Sequence, residues 1–163
     1  PNPVIMLEKE VLYGQTFEVP RDPDVTVPIG KAKVVKEGSD VSIVAFSIMV
    51  GKALEASDLL SNEGIEAEVI DLRTIRPLDV ETIITSVKKT NRIVTVEQGW
   101  PTCGIGAEIS SLVGEEAFDF LDAPVKRVAG VDVPMPYAAN LEKLALPQSS
   151  DIVSAAKAVC YRS

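Results

Sequence analysis

The sequence predicts an α/β fold: a three-layer domain with one mixed five-stranded sheet, four strands parallel and one antiparallel edge strand, flanked by helices. Three observations predict it. From residue 41 onward, apolar runs of strand length alternate with segments of helical spacing, the signature of a parallel sheet covered by helices. The run VSIVAFS at 41–47 is almost continuously apolar, as a strand buried on both faces is. The turn Glu37-Gly38-Ser39-Asp40 is too short for a parallel crossover, so the strand before it must run antiparallel.

The elements follow in order. VIML at 4–7 reads as a short buried strand. The stretch after it carries Pro20, Pro23 and Pro28 and reads as an extended linker, because proline cannot continue a regular helix. Residues 31–35 alternate Lys31 and Lys33 with Ala32 and Val34, the pattern of an edge strand. Val50, Ala53, Leu54, Ser57 and Leu60 fall at helical spacing, and Gly64 supplies a left-handed cap after them. Residues 65–72 form the next strand. Val80, Ile83, Ile84 and Val87 mark a second helix that Lys88 and Lys89 suit at its negative end. A strand at 92–96, a helix at 104–113, a strand at 125–129 and a helix at 149–161 complete the set. The expected division is therefore 1–30, a strand plus linker, and 31–163, one domain.

Composition limits the chemistry. Apolar residues make up 46% of the chain, enough for a packed core. The net charge of −8 argues against a nucleic-acid surface and attracts a basic partner. No apolar run is long enough for a membrane span, and no signal-peptide pattern is present. The chain opens Pro1-Asn2-Pro3 without Met, so a cut or processed product is expected. Histidine is absent, which removes Ser-His-Asp and Cys-His catalytic sets and imidazole proton shuttles. Cys103 and Cys160 cannot build a zinc site alone, and free thiols in a reducing compartment are the expected state.

Several motifs have both a structural and a functional reading. In EVIDLRTIRPLD, Asp79 suits an N-cap with Glu81 in the first turn, and Pro77 stops the strand. Arg73 and Arg76 lie at the carboxyl end of a parallel strand, where open α/β sheets place ligand crevices. Without a histidine or nucleophile nearby, pairing with carboxylates inside the domain or at an interface is favoured over substrate binding. Glu97 ends a strand at the same edge; it is a general base or, preferably, the salt-bridge partner of those arginines. Trp100 suits an interface centre if exposed and fills space if buried. Gly104-Ile105-Gly106 opens a helix after a strand, but Ile109 stands where a dinucleotide fingerprint has its third small residue, so tight packing is the favoured reading. Asp119 and Asp122 sit in a loop, FDFLDAP, and suit a cationic partner or simple solvation. DVPMPY at 132–137 reads as a rigid loop over the sheet end.

The stretches PNPVIMLEKEVLYG, PIGKAKV, EVIDLRTIRPLD, VTVEQGWPTCGIGAEI, FLDAPVKRVAG and DVPMPYAANLE, in this order, resemble one family. It is the beta subunits of pyruvate dehydrogenases, the first, thiamine-dependent component of 2-oxoacid dehydrogenase complexes. The resemblance covers essentially the whole chain. IRPLD, the GWP loop and DVPMPYA favour the pyruvate enzymes over the branched-chain 2-oxoacid relatives, which remain the first alternative. A free-standing, non-catalytic partner-binding domain is the alternative of another class.

The resemblance implies a transketolase-type carboxyl-terminal domain over 31–163, preceded by the last strand of a pyrimidine-binding domain and a linker. It implies an oxidoreductase that decarboxylates pyruvate with thiamine pyrophosphate and magnesium and acetylates the lipoyl group of an acyltransferase, feeding acetyl-CoA formation after glycolysis. The cofactor and the catalytic residues belong to parts absent from this sequence, so this segment is expected to be inactive alone and to lack cofactor-binding residues. Asn2 matches the edge of a monovalent-cation site, with potassium as the ion. The implied partners are an alpha subunit, a second beta subunit in a heterotetramer, and the subunit-binding domain of the dihydrolipoyl acetyltransferase. Asp122 and the terminal carboxylate of Ser163 are the expected contacts to that basic domain. The implied compartment is the mitochondrial matrix, or the cytoplasm in a bacterium.

Overall fold

The computed structural model describes residues 2–3, 5 and 9–162. Its sheet contains β1 (Lys33–Lys36), β2 (Val41–Ala45), β3 (Ala67–Asp71), β4 (Ile93–Val96) and β5 (Lys126–Val128), in the spatial order β1-β3-β2-β4-β5. The helices are α1 (Met49–Asn62), α2 (Val80–Thr90), α3 (Ile105–Glu116), α4 (Ala139–Ala145) and α5 (Ser149–Val159). Strands β2 to β5 are parallel and β1 pairs antiparallel with β3, as the sequence predicts.

The short turn before β2 does not make a hairpin with it. Ser39 and Asp40 both donate their backbone N–H groups to the carbonyl of Glu66, and Gly38 lies directly on the backbone of Ala67 and Glu68. A Cβ at Gly38 would fall 2.2 Å from the carbonyl carbon of Ala67, so only glycine lets the turn cross the start of β3. The turn thus carries the chain past β3, and the edge strand lies one position further out than its sequence neighbour.

Alternation within the central strands divides the core between two layers. Ile43, Val69 and Val94 face α1 and α5, packing on Ala53, Ala56, Leu60, Ile152 and Ala156. Val44, Ile70 and Ile93 face the other way, onto Ile83, Val87, Ile109 and Val113 of α2 and α3. Each of these valine, leucine and isoleucine side chains contributes about 1.5–3 kcal/mol of transfer free energy. Polar groups inside the second layer are satisfied in one chain: the Ser42 hydroxyl lies 2.5 Å from that of Ser86 and 2.7 Å from that of Thr90, and Ser86 donates to the buried Glu68 at 2.5 Å. Lys89 closes the chain by pairing with Glu68 and, at 2.9 Å, with Glu37.

Asp79 caps α2, accepting from Thr82 N at 3.3 Å and Thr82 Oγ1 at 2.9 Å. It also accepts from Ala32 N at 2.9 Å, tying the start of the domain to the helix. Burial pushes its carboxyl pKa up, but these donors outweigh it and hold the pKa below the usual value.

Several boundaries differ from expectation. The edge strand begins at Lys33, α3 runs on to Glu116, and α5 stops at Val159. The loop 118–124 contains a 3-10 turn, Phe118–Phe120. Helix α4 was not predicted: its Leu141 and Leu144 are 48% and 75% exposed, so it has no apolar stripe turned to the core. Residues 15–29 form no helix or strand and turn at 23–24 and at 29, with Phe17, Val19, Val25, Val27 and Ile29 exposed. Of the strand expected at 4–7, only Ile5 is among the described residues, and the rest of it lies outside them.

Candidate functional site

Two edges of the sheet gather the polar residues singled out by the sequence. At the carboxyl edge, β4 delivers Glu97, 4% exposed, to the start of α3. Its Oε2 accepts from Ile105 N and its Oε1 from Gly106 N, both at 3.0 Å. The helix N-terminus is therefore neutralised by the chain's own carboxylate. This explains Gly104 and Gly106. A Cβ at Gly104 would lie 2.4 Å from Glu97 Oε1, and one at Gly106 would lie 2.6 Å from Thr95 Oγ1. The Gly-x-Gly makes room for a carboxylate, and a phosphate has no place at this helix end.

Arg127, on β5 beside Thr95, approaches Glu97 Oε1 at 3.8 Å and donates to the Pro101 carbonyl. The Thr95 hydroxyl and Arg127 Nε are buried without a hydrogen-bond partner among the described residues. The pairing of Glu97 with Arg73 and Arg76 is overturned. The two arginines follow β3, Glu97 follows β4, and β2 lies between those strands. Arg73 and Arg76 are exposed and stand in no ion pair among the described residues. Hydration replaces the partner that a buried guanidinium would require. Arg127 is the cation that sequence reasoning missed; its signal was a pair of adjacent basic residues, Lys126 and Arg127, in a three-residue strand adjoining β4.

Trp100 is 53% exposed and its Nε1 donates to the Val133 carbonyl at 3.2 Å. Gly130 N donates to the Gly99 carbonyl at 2.8 Å. The GWP loop and the loop after β5 thus support one another, and the half-exposed Trp100 leaves much of its ring to solvent.

At the opposite edge, Asp122 has a half-exposed side chain that pairs with Arg92 Nη2 at 2.9 Å. Its backbone is fixed separately. Asp122 N donates to the Asn91 carbonyl at 2.9 Å, and Tyr161 Oη donates to the Asp122 carbonyl at 2.9 Å. Asn91 Nδ2 holds the Phe120 carbonyl at 2.8 Å. Asn91 adopts the left-handed conformation that ends α2, with φ 60°. The loop is therefore presented rigidly from the end of one helix and the start of one strand. Burial pushes up the thiol pKa of Cys160, which lies near Arg92 and Arg162. Both cysteines are free, Cys103 exposed and Cys160 half-buried. Asn2 is exposed, and Ser163 lies outside the described residues. Among the described residues no group of three acidic or cysteine side chains is placed to hold a metal ion, and no helix is long and apolar enough to cross a membrane.

Comparison with known proteins agrees with this geometry. The family model of the transketolase C-terminal domain matches residues 30–152. The chain is 60% identical over 166 aligned residues to a mitochondrial pyruvate dehydrogenase E1 component subunit beta-2 from Oryza sativa subsp. japonica, covering 100% of this chain and 44% of that protein. It is 59% identical over 162 residues to the corresponding beta subunit of Rickettsia felis, covering 99% of this chain and 49% of that one. The chain thus spans about half the length of these curated relatives. Among solved structures, a split-gene transketolase described as an inactive beta4 tetramer superposes with a TM-score of 0.73 at 36% identity, over 88% of this chain and 46% of that one. A 2-oxoglutarate:ferredoxin oxidoreductase from Magnetococcus marinus, at a TM-score of 0.53 and 15% identity over 80% of this chain and 19% of that one, shares the fold alone.

Proposed function

Because this chain belongs to the transketolase C-terminal domain family, we propose that it is the carboxyl-terminal part of the beta subunit of a pyruvate dehydrogenase. The observation that carries the reading is 60% identity sustained over the whole chain with the Oryza beta subunit. The whole enzyme would decarboxylate pyruvate with thiamine pyrophosphate and pass the acetyl group to the lipoyl group of an acyltransferase. Residues 1–30 would be the end of the preceding domain and its linker, with Asn2 at the edge of a monovalent-cation site, and 31–163 the assembly domain. The mitochondrial matrix is the compartment in a eukaryotic source, and the cytoplasm in a bacterial one.

This segment is expected not to hold thiamine pyrophosphate, and two features of the described residues support that reading. The one helix start with a Gly-x-Gly is filled by Glu97, and no acidic cluster is placed for magnesium. The contribution of this segment is contact, with an alpha subunit, a second beta subunit, and the basic subunit-binding domain of the acetyltransferase. Asp122, with Ser163, is the proposed acidic contact for that domain, and the exposed Trp100, Arg73 and Arg76 are proposed contacts between subunits. Glu97 is structural.

The test is to assemble the full-length chain with its alpha subunit and assay pyruvate and branched-chain 2-oxoacids. Thiamine-dependent turnover of pyruvate is expected. Preference for branched-chain substrates favours the sister enzyme, and no decarboxylation of either class overturns the reading. Titration of the acetyltransferase's subunit-binding domain is expected to be weaker with Asp122→Ala and at higher salt. Unchanged affinity removes Asp122 from the contact.

A further inference from the structure

At the amino edge of the sheet, a pocket of about 180 Å³ is lined by Asp40, Gly64, Ile65, Arg92, Cys160 and Arg162. Its one carboxylate is committed: Asp40 Oδ2 accepts from Glu66 N at 2.7 Å. Its two guanidinia are not. The Arg92 side chain meets only Asp122, through Nη2 at 2.9 Å, and its buried Nε has no acceptor among the described residues. Arg162 is exposed, and its side chain stands in no ion pair or hydrogen bond among the described residues. The backbone under each arginine is fixed. The Arg92 carbonyl accepts from Ser42 N at 2.8 Å and from Thr90 Oγ1 at 3.0 Å. Arg162 N donates to the Lys157 carbonyl at 2.9 Å, just after Tyr161 turns the chain with a φ of 54°. Between them lies Cys160, its Sγ 3.9 Å from the Asp40 carbonyl. Burial raises the thiol pKa and keeps it protonated, while Arg92 and Arg162 both act to lower it. Both guanidinia are therefore close enough to bear on one sulfur, and a neutral thiol does not repel an anion.

We propose that this pocket binds a small tetrahedral oxyanion of the phosphate class, bridged between Arg92 and Arg162. A carboxylate is filled by a single guanidinium fork, whereas a phosphate offers acceptor oxygens to two. The lining carries two guanidinia against one carboxylate, so it is locally positive on a chain whose net charge is −8. The volume lies below the range of about 300–1,000 Å³ that larger ligands need, which suits an ion of a few atoms. Arg92 also partners Asp122, so a bound anion draws on the charge that neutralises that carboxylate. Occupancy leaves Asp122 less neutralised and strengthens docking of a basic domain on its loop. This second step rests on the docking reading given above; the binding itself does not.

The experiment uses the full-length chain assembled with its alpha subunit and follows alkylation of each cysteine by iodoacetamide, read by peptide mass spectrometry. Inorganic phosphate and methyl phosphate are each compared with sodium chloride at equal ionic strength. Phosphate at about twice its Kd is expected to slow Cys160 about threefold by mass action. Cys103, which does not line the pocket, is expected to react unchanged. Arg162→Gln, at an exposed position, is expected to abolish the protection. Protection by the free ion alone assigns inorganic phosphate, and equal protection by methyl phosphate assigns the head of a phosphate ester. Equal protection by chloride, protection that survives in Arg162→Gln, or none from either phosphate overturns the site. Phosphorus NMR line widths of phosphate, compared between wild type and Arg162→Gln, read the same site without the thiol, and identical widths overturn it as well. The acetyltransferase's subunit-binding domain is then titrated in phosphate and in chloride at equal ionic strength. Tighter binding in phosphate, lost in Arg162→Gln, is expected. Protection of Cys160 without any change in docking overturns the coupling and leaves the site, whereas no docking in either salt overturns the docking reading.

Discussion

Glu97 at the end of β4 and Gly106 in the first turn of α3 are joined by a 3.0 Å hydrogen bond from the glycine N–H to Oε1. The same carboxylate takes Ile105 N through Oε2 and stands 3.8 Å from Arg127. One side chain therefore serves a helix start and the nearby guanidinium in the same buried spot. Removing it strands two backbone donors and a positive charge together. Glu97→Ala is expected to cost about 3 kcal/mol. In a chain of this size that lowers Tm by roughly 6–12 °C. Thermal denaturation checks this, and an unchanged Tm would show that the carboxylate is dispensable.

The two glycines of α3 should respond oppositely to alanine. A Cβ at Gly106 meets Thr95 Oγ1 at 2.6 Å and Glu97 Oε1 at 3.0 Å, whereas one at Gly114 meets nothing within 4 Å. Alanine favours a helix interior over glycine by up to about 1 kcal/mol. Gly114→Ala should realise that gain, and Gly106→Ala should lose it to the clash. Chemical denaturation of the two variants side by side separates them; the same sign of change in both would contradict the packing.

The pairing of Lys89 with the buried Glu68 sets the alkaline behaviour. The hydrogen bond to Glu68, with a smaller one to Glu37, raises the Lys89 pKa above 10.5, against a burial effect that lowers it. Its stabilising contribution is thus fully present below about pH 10.5 and is lost as pH rises through the higher folded value. Stability between pH 9 and 12 should fall less steeply in Lys89→Met, whose baseline is lower throughout. Parallel curves for the two proteins would remove Lys89 as the source.

Legibility in the sequence followed how local each cause was. The apolar run from 41, the cap at Asp79 and the left-handed Gly64 depend on neighbours in the chain, and all three are found, the strand ending at Ala45 rather than 47. The partner of Glu97 depends on strand order, which places β2 between β3 and β4. No local pattern encodes that, so Arg127 was not matched to Glu97 and Arg73 and Arg76 looked available. Glu68 was hidden for a related reason: its partners Ser86 and Lys89 lie on α2 and become neighbours only when that helix covers the sheet. Helix α4 escaped because its leucines face solvent.

Asp122 shares its charge with Arg92, and this bears on the proposed docking of a basic domain. The guanidinium Nη2 lies 2.9 Å from Oδ2, so an arriving cation meets a carboxylate already half neutralised. The loop itself does not depend on Arg92, because Asn91 and Tyr161 hold its backbone through the Phe120 and Asp122 carbonyls and the Asp122 N–H. Arg92→Gln should therefore leave the loop in place while deleting one repelling charge from the receiving surface. A half-exposed pair of this kind is worth about 0.5–1 kcal/mol, so the subunit-binding domain of the acetyltransferase should bind roughly two- to fivefold more tightly to Arg92→Gln. The gain should shrink as salt rises. It should vanish in the double variant with Asp122→Asn, because the freed carboxylate is then gone. Calorimetric titration of the assembled enzyme at two salt concentrations measures all three effects. Weaker binding to Arg92→Gln would mean that the arginine orients Asp122 rather than competing for it.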